Sequence, residues 1–314
     1  MKTQVKADLM LVLVTLCWGV SYYMIDLCLV EMGTFNLNAF RFLGAFIIAA
    51  IFTFPKLKGV NKETLKYAFF IGFSLVFVYI GATFGVMYTS LSNSGFLCAL
   101  SVVFTPLLGI IIFRQRPDKK MVIIVLICLI GIALMSLNEQ LKPALGDIFC
   151  LMCAFAYAVD LLITEKAVAK EEVNAFQLGV FQLGFTGIFM LILSFIFEDP
   201  CLPSSGIVWG SALFLAVFCT GVAFIVQTIA QQYTSATHVG VIFTLEPVFA
   251  GIVAFALAGE ILLPRAYFGA FLLLISLIIM EIDVNALIDK FRGKKSDVLV
   301  AENDENKVEK FIFF

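Results

Sequence analysis

The sequence predicts an all-α integral membrane protein with ten transmembrane helices, arranged as two inverted five-helix repeats around a central cavity. Three observations predict this fold class. Hydrophobic residues make up 61% of the 314 residues and charged residues only 14%, whereas a soluble chain carries roughly 25% charge. Ten apolar segments can each hold a helix of roughly 17–25 residues, the length that crosses a bilayer. The second half of the chain also carries a faint copy of the first.

The ten apolar segments are joined by short connections, which leave no room for a soluble domain between them. In the first half they cover residues 9–30, 37–54, 65–88, 94–113 and 121–137. In the second half they cover residues 145–164, 173–197, 207–232, 239–257 and 267–282. These boundaries divide the chain into a first repeat at 1–142, a second repeat at 143–283 and a cytoplasmic C-terminal tail at 284–314.

The internal copy supports a duplication. Tyr88-Thr89-Ser90 recurs 145 positions later as Tyr233-Thr234-Ser235. A second echo joins Asn38-Ala39-Phe40 to Asn174-Ala175-Phe176, and one loop insertion or deletion explains its smaller offset. Two similar hydrophobic halves are typical of membrane proteins that are built from repeats.

The placement of basic residues orients the predicted spans. With a cytoplasmic N-terminus, only Lys142 and Arg265 of the 21 lysines and arginines fall in outer loops, and Arg41 falls within a span. All the others lie in cytoplasmic segments, so we expect a multi-pass protein of the cell membrane with both termini in the cytoplasm. Five spans in each half then place the second repeat upside down relative to the first. Two such halves can open a shared midplane site to each side in turn.

The eight cysteines lie almost entirely inside apolar runs, which argues against a disulfide framework. Cys150 and Cys153 form a Cys-x-x-Cys pair, but no second ligand pair accompanies them, and His238 is the only histidine. We therefore expect neither a metal or redox site nor a cofactor.

Polar side chains recur at helical spacing within several spans, and their shared faces are informative because polar groups are costly inside a bilayer. Bulky amphipathic side chains prevent close helix contact, and a buried carboxylate needs a partner or water, so these faces favour a water-filled cavity. The alternative is that they only hold helices together. The predicted lining of the substrate-binding cavity is Trp18, Tyr22, Tyr79, Thr83, Tyr157, Asp160, Gln227 and Glu246.

Four ionisable side chains lie within or near the ends of spans, and each has a structural interpretation. Asp26 and Arg41 lie in the outer third of consecutive antiparallel helices, which predicts a structural ion pair between them. Lys166 could reach Asp160 from the cytoplasmic end of its helix. Glu246 could instead stabilise a helix that is broken by the proline that follows it.

At these residues the sequence resembles the drug/metabolite transporter superfamily, specifically the EamA-type ten-helix exporters, over nearly the whole chain up to about residue 282. The motifs that carry the resemblance are Trp18-Gly19, Arg41-Phe42, Tyr88-Thr89-Ser90, Tyr233-Thr234-Ser235, Leu245-Glu246-Pro247 and Gly259-Glu260. The first repeat departs from the pattern at Phe113-Arg114-Gln115, where many relatives carry Leu-Gly-Glu, and at Val102, where the second repeat has Pro247. The resemblance implies a basket-like fold with a central cavity and the export of small metabolites or amino acids.

We therefore expect a secondary transporter that exports amino acids or related small metabolites by alternating access. Its expected partners are a small-molecule substrate and the lipid bilayer, with protons as a candidate coupling ion and no nucleic acid. The alternatives are a channel, a non-transporting membrane subunit or, less favoured, an intramembrane enzyme. The sequence contains no His-Glu-x-x-His, Gly-x-Ser-x-Gly or P-loop motif, so we expect no enzymatic activity.

Overall fold

The computed structural model describes residues 3–89, 91–113, 119–136, 145–257 and 264–281. Within these ranges the regular structure is helical and includes no strand. The helices of the first half are α1 (Thr3–Leu29), α2 (Thr34–Leu57), α3 (Lys62–Tyr88), α4 (Leu91–Ala99), α5 (Ser101–Phe113) and α6 (Lys119–Ser136). Those of the second half are α7 (Leu145–Val168), α8 (Ala175–Phe197), α9 (Gly206–Phe214), α10 (Ala223–Ala230), α11 (Ala236–Phe243), α12 (Glu246–Leu257) and α13 (Pro264–Glu281).

Seven helical stretches of the described chain are long and apolar enough to cross a membrane. They are Gln4–Leu29, Thr34–Leu57, Lys62–Tyr88, Leu145–Val168, Ala175–Phe197, Gly206–Tyr233 and Ala236–Leu257. The other three predicted spans coincide with α4–α5, α6 and α13, each of which borders residues outside the described ranges. The protein is thus a multi-pass α-helical membrane protein. The predicted C-terminal tail lies outside the described residues.

Several helices begin at a polar side chain that caps the first turn. The Asn61 and Asn174 side chains accept hydrogen bonds from backbone N–H groups at the starts of α3 and α8. Ser205 and Ser235 do the same for α9 and α11. Each side-chain oxygen satisfies a donor that the first helical turn leaves without an intrahelical partner. These caps therefore define the residues at which the four helices begin.

The most extensive helix packing joins the two halves of the chain. The main pairs are α2 with α8, α3 with α7 and α6 with α13, while α1 packs against α12 and against the α9–α10 stretch. Glycines allow the closest approaches. A Cβ atom added at Gly81 of α3 would lie 2.5 Å from the Phe149 carbonyl oxygen of α7, and one at Gly19 would lie 2.5 Å from the Phe249 Cβ of α12. The interior is therefore formed jointly by both halves.

Two carboxylates tie the halves together near the C-terminal ends of α1 and α8. Glu198 accepts hydrogen bonds from the backbone N–H groups of Phe35 (3.1 Å) and Asn36 (2.8 Å), at the start of α2. Glu31 accepts from the backbone N–H groups of Ser204 (2.8 Å) and Ser205 (3.1 Å), just before α9. A negative charge at a helix N-terminus is stabilised by the aligned peptide dipoles. Each half thus caps a helix of the other.

Candidate functional site

Two of the spans contain a helix break. α11 ends at Phe243 and α12 begins at Glu246, directly before Pro247. Because proline has no backbone N–H to donate, a helix that meets it readily breaks or bends, as the sequence predicted. α4 and α5 are likewise separated at Leu100. Glu246 consequently stands in the first turn of α12, where free backbone N–H groups favour a negative side chain.

A π-helical stretch at Leu215–Val222 supplies two further contacts. The Cys219 carbonyl oxygen accepts a hydrogen bond from Trp18 Nε1 at 2.9 Å. The neighbouring Thr220 Oγ1 accepts from Arg41 Nε at 2.8 Å. Wide turns of this kind are rare and are often found at functional sites. This one anchors an aromatic and a cationic side chain of the first half to the second half.

A cavity that is partly open to solvent lies among α1, α3, α4, α5, α7, α10, α11 and α12. Aromatic side chains and a few polar groups line it, as is typical of small-molecule sites. Five of the predicted cavity residues line it, namely Trp18, Tyr22, Tyr79, Tyr157 and Glu246. The structure therefore brings these five side chains together around one cavity.

Three predicted cavity residues lie elsewhere. Gln227 is buried behind the wall, where its Oε1 accepts a hydrogen bond from the Tyr157 hydroxyl at 3.2 Å. Thr83 accepts a hydrogen bond from Asn38 Nδ2 at 3.0 Å, so its side chain faces α2 instead of the cavity. Asp160 is 1% exposed and is not part of the lining, and the described ion pairs do not include one with Lys166. Thr83, Asp160 and Gln227 are therefore corrections to the predicted lining.

The aromatic part of the wall includes residues that sequence reasoning missed. The Tyr157 and Phe243 rings stack at 6.0 Å with an interplanar angle of 10°. The Trp18 ring meets Phe243 edge-on at 4.9 Å and lies 5.4 Å from Phe224. The chain contains 34 phenylalanines, so nothing local distinguishes these two from the many that face lipid.

The predicted ion pair between Asp26 and Arg41 is also corrected. Asp26 is exposed, whereas Arg41 is fully buried and donates through Nε to Thr220. The Arg41 Cζ atom lies 4.7 Å from the centroid of the Tyr79 ring, a cation–π arrangement. Its Nη1 and Nη2 atoms have no hydrogen-bond acceptor among the described residues. α1 and α2 make few contacts, so consecutive order in the chain did not bring the two charges together.

One ion pair was not foreseen from the sequence. His238 Nε2 lies 3.1 Å from Asp8 Oδ1, and both side chains are largely buried. This contact joins the N-terminal end of α1 to α11, and so links the first half to the second. Residues 230 positions apart give no local signal of such a pair.

The cysteines form a small cluster beside the cavity. Cys98 and Cys153 line it. Cys150 Sγ also lies 3.4 Å from Ser94 Oγ. All eight cysteines are free thiols. Within the described residues, no group of histidine, cysteine, aspartate or glutamate side chains has the geometry of a metal site.

The sequence model of the EamA-like transporter family matches residues 5–137 and 144–282. The chain belongs to this family. Two proteins from Archaeoglobus fulgidus, both described as "Uncharacterized transporter", are similar to it. One is 33% identical over 279 residues, covering 88% of this chain and 86% of the relative. The other is 26% identical over 264 residues, covering 81% of this chain and 90% of the relative.

One solved structure resembles the fold over almost its entire length. A chain described as "Crystal structure of protein" superimposes with a TM-score of 0.74, covering 90% of this chain and 99% of that chain. The sequence identity is 15%, so this similarity concerns the fold alone.

Proposed function

We propose that this EamA-family protein is a secondary transporter that exports amino acids or related small metabolites across the cell membrane by alternating access. The observation that carries the proposal is the cavity, whose walls come from helices of both halves of the chain. A site shared between two halves can be opened to either side when the halves rock against each other. Family membership supports transport as the general activity.

The arrangement that we propose is ten spans in two inverted repeats, at residues 1–142 and 143–283. The helix pairing supports it, because α2 packs against α8 and α6 against α13, which are the second and fifth spans of each proposed repeat. The third span of each repeat packs against the first span of the other, as α3 with α7 and as α9–α10 with α1. The family model also matches two segments of similar length.

The proposed orientation places both termini in the cytoplasm. The cavity then extends from the middle of the spans, where Trp18, Tyr157 and Glu246 line it, towards Ile25 and Ala82 on the outer side. The contact between Asp8 and His238 lies near the cytoplasmic ends of α1 and α11.

Glu246 is the residue that we propose to link transport to protons or to a cationic group. Its carboxylate lies on the cavity wall, at the break between α11 and α12, and Tyr22 lines the same cavity. A carboxyl group in such a place can take up a proton on one side and release it on the other. Glu246→Gln preserves the shape and removes the titration. We expect this variant to lose the pH dependence of transport; a wild-type rate with an unchanged pH profile would mean that Glu246 is structural.

The transport activity is tested with purified protein in liposomes. A carrier gives saturable uptake and exchanges labelled substrate outside for unlabelled substrate inside, whereas a channel shows no such counterflow. A thermal-shift screen against amino acids and metabolites identifies the compounds to use, because a ligand stabilises the state that it binds. Uptake without saturation and without counterflow would favour a channel, which is the second candidate.

A further inference from the structure

We propose that the cavity recognises the ammonium group of its substrate and has no subsite for a carboxylate, so that apolar organic amines are bound in preference to zwitterionic amino acids. This inference rests on the proposed transport function and narrows its substrate class. It comes from the charges and the hydrogen-bond donors of the cavity wall.

The described lining of the cavity carries negative charge but no positive charge. Glu246 is the single charged side chain among the described residues that line the cavity. The buried guanidinium of Arg41 is not part of the lining, because it lies against the ring of Tyr79 and its Nε donates to Thr220. A carboxylate in the cavity thus meets a carboxylate and no lining cation, and like charges at short range repel each other.

Three hydrogen-bond donors on the wall are engaged with the protein. Trp18 Nε1 donates to the Cys219 carbonyl at 2.9 Å, and Ser21 Oγ donates to the Trp18 carbonyl at 2.7 Å. The Tyr157 hydroxyl donates to Gln227 Oε1. A substrate carboxylate therefore cannot use these three donors to replace the water that it gives up, and this raises the free energy of binding.

An ammonium group fits the same wall. The Glu246 carboxylate supplies a charged acceptor, and aromatic side chains surround the space beside it, among them Trp18, Tyr22 and Tyr157. Aromatic faces attract cations, most strongly where water is excluded. The apolar body of the substrate can pack against Phe224 and Val78, which also line the cavity. The wall is thus complementary to an amphipathic cation.

A matched series of four phenyl compounds tests the inference on the purified full-length protein. The probes are 2-phenylethylamine, L-phenylalanine methyl ester, L-phenylalanine and 3-phenylpropanoate, compared by thermal shift and by counterflow in liposomes. We expect the amine and the ester to bind roughly tenfold or more tightly than the zwitterion, a difference of about 1.4 kcal/mol. We expect the acid to bind weakest of the four.

Equal or tighter binding of L-phenylalanine or 3-phenylpropanoate would overturn the inference, and so would failure of all four probes to bind. Neither result touches the transport proposal if another compound shows counterflow. Two variants sharpen the test. Glu246→Gln should reduce the preference for the amine, whereas Thr220→Val, which removes the hydroxyl that holds Arg41, should leave the ratio of amine to amino-acid binding unchanged. A collapse of that ratio in Thr220→Val would mean that Arg41 reads a substrate carboxylate.

Discussion

At the scale of single residues, Arg41 is a buried cation within the spans that is not paired with Asp26. Its guanidinium is held by the Thr220 hydroxyl and by the face of Tyr79, while Asp26 is exposed. Burying a charge without an ionic partner is costly, so the site depends on its polar and aromatic neighbours. Arg41 is therefore an anchor between α2 and the π-helical stretch.

The first prediction concerns the absence of an Asp26–Arg41 contact. Asp26→Asn should change the free energy of unfolding by no more than about 0.5 kcal/mol, as is usual for an exposed side chain. In a double-mutant cycle with Arg41→Lys, the two effects should add within about 0.5 kcal/mol. Denaturant unfolding in detergent micelles measures both. A coupling energy above 1 kcal/mol would show that Asp26 and Arg41 do interact, as the sequence predicted.

The sequence predicted the positions of individual side chains only in part. Helical spacing identified Trp18 and Tyr22 on one face of α1, and both line the cavity. The same reasoning failed for Asp160, because periodicity shows which residues share a face but not which neighbouring helix that face meets. Phe243 could not be found at all, since a phenylalanine in an apolar run carries no local sign of its partner.

At the scale of helices, close contacts through glycine are the most sensitive points. A Cβ atom at Gly81 would lie 2.5 Å from the Phe149 carbonyl oxygen and 2.8 Å from the Cys153 backbone nitrogen. Both are backbone atoms of α7, so neither can move aside as a flexible side chain would. The contact between α3 and α7 therefore requires glycine at this position.

The second prediction follows from this contact. Gly81→Ala should lower the free energy of unfolding by about 1–3 kcal/mol, the usual cost of overpacking. Gly210→Ala is the matched control, because a Cβ atom there has no heavy atom within 4 Å and Gly210 lies inside α9. The control should be neutral or stabilising by up to about 1 kcal/mol, since alanine favours helix more than glycine does. Thermal unfolding in detergent compares the two, and equal destabilisation would contradict the proposed contact.

The third prediction concerns the loop carboxylate that caps α9. Hydrogen bonds from Ser205 and Ser204 lower the pKa of Glu31 from its ordinary value of 4.5 to about 2. The resulting stabilisation is present in full above about pH 4.5 and is lost as the pH falls through about 2. Between pH 6 and pH 3, the melting temperature of the wild type should therefore fall more than that of Glu31→Gln.

The exposed Glu171, which lies in a loop, provides the control for this comparison. Glu171→Gln should keep the pH dependence of the wild type. If Glu31→Gln also kept it, the Glu31 cap would not contribute to acid stability.

The helix breaks show what local sequence can predict about elements. The break before Pro247 was expected, because a proline cannot donate to the helix that precedes it. The break in the first half is at Leu100, whereas the nearby Pro106 lies inside α5. The π-helical turn at Leu215–Val222 was not predicted either. The π-helical stretch makes tertiary contacts, such as the hydrogen bond from Trp18 to Cys219, which no local pattern reveals.

At the scale of the whole molecule, the interior depends on contacts between the two halves. Glu31 and Glu198 each cap a helix of the other half, and the Asp8–His238 pair joins α1 to α11. Hydrophobic composition and basic-residue placement predicted a multi-pass protein and its orientation. They could not predict these cross-links, because each one joins residues more than 150 positions apart.

The last prediction tests the orientation of the whole molecule with a native thiol. Cys201 is the exposed cysteine of the chain and lies between α8 and α9, in a loop that we place outside the cell. A bulky, membrane-impermeant maleimide should label intact cells at Cys201, and Cys201→Ser should remove the signal. In that Cys201→Ser background, Glu171→Cys lies in a proposed cytoplasmic loop and should react only after the membrane is permeabilised. Labelling of Glu171→Cys in intact cells, together with no labelling of the wild-type Cys201, would contradict the proposed orientation.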